Sequence, residues 1–193
     1  MEKMLLDVSS KIETKRLIIR RYKKGDGKSF LHLLETNDNR EYLKDHIDEA
    51  STVRTQEEAE IRIRQFIAFW VGRERFVLGI WLKSSYTYIG QLWIEPKKWE
   101  VPSFELGWFL ERTHQGKGLA TEAVKHIVDY IFNELKAHRI IVFTGDNNER
   151  SMKLAERCGF FKEGHFRDHE VKDGKRFGLY CYALLKHEYF PNT

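Results

Sequence analysis

Cysteine, proline, long apolar runs and net charge are all scarce in this 193-residue chain. Its two cysteines, Cys158 and Cys181, cannot form a zinc site by themselves and fall far below the density of a disulfide scaffold, so a reducing compartment is expected. With three prolines and 41% hydrophobic residues, collagen-like and disordered chains are excluded. The longest uncharged apolar runs, Phe76–Leu82 and Gly178–Leu185, are only strand-length, and residues 1–10 lack an apolar stretch of signal-peptide length. The expectation is a cytoplasmic protein with no membrane partner. A net charge of +4 is too small to indicate direct nucleic-acid binding. The charge is unevenly spread, with eight bases against two acids over Lys11–Lys28 and nine acids against three bases over Glu35–Glu60.

What is present suits one globular domain spanning residues 1–193. Leu17–Arg20 reads as a strand, followed by a helix over Asp26–Glu35 with Phe30, Leu31, Leu33 and Leu34 on its buried face. Thr55 and Glu58 have capping-box spacing, and Ala59, Ile63, Phe66, Ile67 and Trp70 recur at three and four residues, so Thr55–Val71 is an amphipathic helix. Phe76–Leu82, Tyr86–Ile94 and Phe104–Leu110 read as antiparallel strands. A long helix over Leu119–Lys136 and a strand over Arg139–Thr144 imply a parallel pair joined by a right-handed crossover. A helix begins at Asn148 and stops at Gly159, and Phe160–His187 folds back as a hairpin around Lys172-Asp173-Gly174-Lys175. The pattern is mixed α/β, or α+β, with helices on both faces of one sheet.

The chemistry is concentrated in Gln115-Gly116-Lys117-Gly118-Leu119-Ala120, which leads directly into the long helix. Two glycines at the mouth of a helix let backbone N–H groups converge on an anion, the macrodipole favours negative charge there, and Lys117 adds to it. A P-loop fails twice, because Glu111 stands where its first Gly is needed and Gly118 where its Ser or Thr is needed. A dinucleotide fingerprint fails at Thr121, which is not its third small residue, and lacks the acid about twenty residues on.

The same six residues match Gln/Arg-x-x-Gly-x-Gly/Ala, and on them the chain resembles the GNAT superfamily of N-acetyltransferases in its RimJ/RimL-like branch. Further landmarks are Thr14-Lys15-Arg16-Leu17-Ile18-Ile19-Arg20, Glu105–Leu110, Asn148-Glu149-Arg150-Ser151, Cys158-Gly159-Phe160 and Glu163-Gly164. The resemblance covers most of the chain. It implies a GNAT fold, one central, mostly antiparallel sheet of about seven strands with a splayed parallel pair. It departs from many relatives at Gly178, where they carry an acid, and over Asn37–Val53, which aligns with nothing.

The resemblance also implies acetyl-coenzyme A as cosubstrate and no metal. Its diphosphate would lie on Gln115, Gly116, Lys117, Gly118, Leu119, Ala120 and Thr121, and its pantetheine arm beside Phe109, Leu110 and Glu111, with Asn148 as a further contact. A neutral amine then attacks the thioester directly; an α-amine, pKa about 7.7 to 8.0, loses its proton more easily than Lys at about 10.4. Glu105 is the candidate general base and Ser151 the candidate donor to the leaving thiolate. Cysteine catalysis fits poorly, since Cys158 ends a helix and Cys181 lies in an apolar strand. The spacing of His165 and His169 suits a metal, but they fall on a strand without a Cys pair. The branch includes ribosomal-protein N-terminal acetyltransferases, and a negative rim over Glu35–Glu60 would steer a cationic acceptor. The acceptor expected is thus a cationic protein N-terminus or a polyamine, acetylated by a monomer or homodimer. Alternatives are a polyamine or aminoglycoside acetyltransferase and a noncatalytic acyl-coenzyme A-binding module.

Overall fold

The structure, a computed structural model, describes residues 2–44, 47–172 and 174–190. In chain order the strands are β1 (Lys11–Glu13), β2 (Leu17–Arg21), β3 (Phe76–Leu82), β4 (Tyr88–Lys98), β5 (Ser103–Leu110), β6 (Arg139–Gly145), β7 (Phe161–Lys172) and β8 (Lys175–Leu185). The helices are α1 (Gly27–Glu35), α2 (Asn39–Leu43), α3 (Glu49–Thr52), α4 (Gln56–Val71), α5 (Leu119–Asn133), α6 (Glu149–Arg157) and α7 (Lys186–Tyr189). Among the described residues the strands form one mostly antiparallel sheet of order β1-β2-β3-β4-β5-β6-β8-β7.

Among the described residues eight strands are found where about seven were expected. The addition is β1, a single apolar residue between two charges that pairs with β2 from Lys11↔Arg20 to Glu13↔Ile18. So short and charged a segment carries no strand pattern, and its charges suit a sheet edge. Asn37–Val53, unaligned in sequence, contributes α2 and α3. The long helix stops at Asn133 instead of Lys136, which is left-handed at φ 56°. The turn expected around Asp173 lies partly outside the described residues.

The backbone groups into two compact units. The first, Ser9–Ile94 with Trp108–Ala123, holds β1–β3, α1–α4 and the loop that opens α5. Its core is Ile18, Phe30, Leu34, Ile63, Phe66 and Trp81, around a buried Tyr22 whose hydroxyl donates to Gln91 Oε1 at 2.7 Å. α4 is fixed by a completed capping box, with Glu58 N–H donating to Thr55 Oγ1 at 3.2 Å and Thr55 N–H to Glu58 Oε2 at 2.9 Å. Ala59, Ile63, Phe66 and Trp70 are its buried stripe.

The second unit comprises residues up to Val8, Glu95–Gly107 and Val124 onward. Buried Val124, Ile127, Ile131, Phe104, Ile140, Val142 and Leu184 form its core. Here β5 pairs with β6 in parallel over only three residues, from Ser103↔Arg139 to Glu105↔Ile141, whereas β6 pairs with β8 along its whole length. β7, at the edge, breaks register with β8 between Lys162 and Gly164 and between Phe166 and Glu170.

Candidate functional site

β5 delivers the chain into the anion loop. Glu111 N–H donates to Ile89 O at 2.8 Å, and a side chain on Gly90 would come within 2.3 Å of Phe109 O, so only glycine lets the end of β5 approach β4 this closely. Glu111 is buried; its Oε1 accepts hydrogen bonds from Asn37 Nδ2 at 3.2 Å and from the Thr113 hydroxyl. A 3-10 turn over Arg112–His114 follows, and Arg112 N–H donates to Asn39 Oδ1 at 2.9 Å. Gln115 Nε2 donates to Tyr42 Oη at 2.7 Å and to Leu110 O at 3.2 Å.

Gly116 and Gly118 both adopt φ of +74°, which side-chain-bearing residues avoid. Gly116, Lys117 and Gly118 are exposed, whereas Leu119 is buried and anchors the start of α5. The first helical bond of α5 runs from Glu122 N–H to Gly118 O at 3.0 Å. The N–H groups of Leu119, Ala120 and Thr121 therefore have no intrahelical acceptor, and the helix dipole adds positive potential at the same end. The arrangement can hold a doubly charged oxyanion such as a diphosphate.

Three residues not assigned to the site from sequence, Thr14, Arg16 and Glu122, complete this corner. Arg16 Nη1 donates to Lys117 O at 2.9 Å, and its Nε to Glu122 Oε2 at 2.7 Å. Glu122 also accepts from the Thr14 hydroxyl and, at 2.8 Å, from Arg16 N–H. Burial would raise the Glu122 pKa, but the bonds from Thr14 and Arg16 outweigh it and hold the carboxyl below its ordinary range. The signal was present as Thr14-x-Arg16 ahead of a strand and an acid in the first turn of α5, residues too far apart in sequence to be joined by pattern.

In the second unit, half-buried Glu105 places Oε2 2.8 Å from Lys97 Nζ. Burial opposes the charge on Lys97, yet hydrogen bonds to Glu105 and Glu95 keep its pKa above the ordinary value. Ser151 lies in the first turn of α6, where its N–H donates to Asn148 Oδ1 at 3.1 Å, making Asn148 the N-cap. Gly178 N–H donates to Asp146 Oδ2 at 3.0 Å, and a side chain on Gly178 would come within 2.6 Å of that oxygen. The missing side chain thus makes room for a carboxylate from the end of β6, which also meets His165 Nε2 at 3.1 Å. Burial pushes the Cys158 thiol up to about 11 and raises Cys181 as well, so neither is a ready nucleophile. Among the described residues no group of three or more His, Cys, Asp or Glu could hold a metal ion, and no helix is long and apolar enough to cross a membrane.

A mixed sheet with a parallel pair, and a glycine-bounded loop opening on a helix, define an anion-binding α/β protein. The Acetyltransferase (GNAT) domain family matches residues 16–161, and the chain belongs to this family of acetyl-coenzyme A-dependent N-acetyltransferases. It is 42% identical over 85 residues to the uncharacterized N-acetyltransferase p20 of Bacillus licheniformis, covering 44% of this chain and 48% of that protein. Over 86 residues it is 37% identical to the [Ribosomal protein uS5]-alanine N-acetyltransferase of Escherichia coli, covering 45% of this chain and 44% of that enzyme. The chain thus spans about half the length of these two curated relatives. Its fold superposes on RimL, the ribosomal L7/L12 alpha-N-protein acetyltransferase in complex with coenzyme A, with a TM-score of 0.83 at 18% identity, covering 91% of this chain and 97% of RimL.

Proposed function

We propose that this chain transfers the acetyl group of acetyl-coenzyme A to the N-terminal α-amine of a protein, a ribosomal protein being the first candidate. The observation that carries the coenzyme half is the pair of left-handed glycines around Lys117 at the start of α5, with three N–H groups left over for an anion. The diphosphate rests on Gln115, Gly116, Lys117, Gly118, Leu119, Ala120 and Thr121, and the pantetheine arm runs beside Phe109, Leu110 and Glu111, with a further contact at Asn148. The acceptor half is supported by the relatives that act on ribosomal proteins.

The amine nitrogen attacks the thioester carbonyl carbon, the carbon–sulfur bond breaks, and the amine proton passes to a base. Glu105 takes that proton through water; its Oε2 is engaged by Lys97, which leaves Oε1 as the acceptor. Ser151 donates a hydrogen bond to the departing thiolate, which leaves as the coenzyme thiol once protonated from solvent. No enzyme-bound acyl group is required.

The test is purified protein with acetyl-coenzyme A and a panel of ribosomal-protein N-terminal peptides, spermidine and an aminoglycoside, following thiol release and the mass of the product. Acetylation of a peptide α-amine with the highest kcat/KM is expected. Preference for spermidine would move the acceptor to polyamines, and absence of calorimetric binding of acetyl-coenzyme A would overturn the reading.

A further inference from the structure

We propose that Arg16 is a positioning residue of the coenzyme-diphosphate site, holding the Lys117–Gly118 peptide in place and offsetting the charge of Glu122. This rests on the assignment of Gln115–Ala120 as the diphosphate loop.

Arg16 belongs to the turn between β1 and β2, a hundred positions from the loop in sequence, yet its side chain spans the loop and the helix behind it. Nη1 bonds Lys117 O at 2.9 Å, Nε bonds Glu122 Oε2 at 2.7 Å, and Nη2 lies 3.6 Å from the point a side chain on Gly118 would occupy. One planar fork therefore bonds the Lys117 carbonyl and the first turn of α5 together, a geometry a lysine ammonium cannot reproduce.

Two physical problems are solved by this one contact. A chain turning through two left-handed glycines must direct the intervening carbonyl away from its N–H groups if those are to face an anion, and Arg16 supplies that carbonyl with a donor. Secondly, Glu122 is an acid at the end of α5 that must accept an anion. It suits the empty helix dipole but repels an incoming diphosphate. Arg16 offsets it at 2.7 Å, and Thr14 locks the carboxylate against rotation. With a side-chain exposure of 44%, Arg16 forms this pair at the surface, where its value lies in local charge more than in stability.

The experiment compares acetyl-coenzyme A with acetyl-pantetheine, which carries the same thioester and no diphosphate, using one peptide acceptor. In Arg16→Ala the Kd and KM for acetyl-coenzyme A should rise about tenfold with kcat within twofold, while kcat/KM for acetyl-pantetheine stays at the wild-type value. Arg16→Lys should fall between the two. Glu122→Gln with Arg16 intact should bind acetyl-coenzyme A as tightly as wild type or more tightly, and combined with Arg16→Ala it should recover part of the lost affinity. Equal losses with both thioesters, or no loss with either, would overturn the inference, as would a marked loss of coenzyme affinity in Glu122→Gln. Should Arg16→Ala fail to fold, Arg16→Lys and Glu122→Gln decide the matter by the same comparison. Wild-type protein that binds no coenzyme would instead refute the loop assignment itself.

Discussion

Glu105 pairs one carboxylate oxygen with Lys97, and the role proposed for it rests on the other. Replacing Glu105 by Gln keeps the shape and removes the proposed base; kcat should fall by about 10²- to 10⁴-fold while calorimetric affinity for acetyl-coenzyme A is retained. A drop smaller than tenfold in steady-state turnover would place the base elsewhere. Ser151→Ala should cost about tenfold in kcat, the worth of one hydrogen bond to a developing negative charge, again without change in coenzyme affinity. Cys158 makes a prediction of a different kind. Burial lifts its pKa from about 9 to about 11, so between these values the unfolded chain has released a proton that the native chain retains. Stability supplied by this thiol is complete below pH 9 and falls as pH rises toward 11. Denaturation midpoints measured from pH 8 to 11 should decline over that window, and the decline should be smaller in Cys158→Ala.

α4 illustrates how far local sequence determines an element. Thr55 and Glu58 satisfy each other's backbone N–H groups, and the buried stripe follows at helical spacing, so both the start and the inward face were legible. Thr55→Ala should lower unfolding free energy by about 1 kcal/mol in urea titrations, and Thr55→Ser by much less. α6 was legible for the same reason, its Asn148 cap and left-handed Gly159 both acting within a few residues. β1 was not, because a strand of three residues with one apolar position is held by its partner and not by its own pattern. The anion loop was readable as a string of letters, since glycine spacing and helix onset are local. The brace formed by Thr14, Arg16 and Glu122 was not, because it joins residues more than a hundred apart, and nothing in one segment advertises the other. In the same way Asp146 reaches the place left by Gly178 through chain topology alone.

Over the whole molecule the acidic stretch from Glu35 to Glu60 is less of a bare rim than its composition suggests. Glu49 pairs with Arg62 at 3.4 Å, Glu60 accepts from Gly25 N–H at 3.0 Å, and Glu58 is spent on the α4 cap. Asp45 lies outside the described residues, while Glu35, Asp38, Glu41, Asp48 and Glu57 are exposed. Any steering of a cationic acceptor should fall on these exposed acids. Reversing Asp48 and Glu57 to Lys should lower kcat/KM for a basic peptide several-fold at low ionic strength and leave it unchanged near 0.5 M salt, where the screening length is roughly 4 Å. Loss of equal size at both ionic strengths would show damage to the fold in place of steering.

Both cysteines are buried with raised pKa values. A chromogenic disulfide dye added at neutral pH therefore has almost nothing to colour on the protein, and every increment of absorbance during turnover counts one molecule of coenzyme set free.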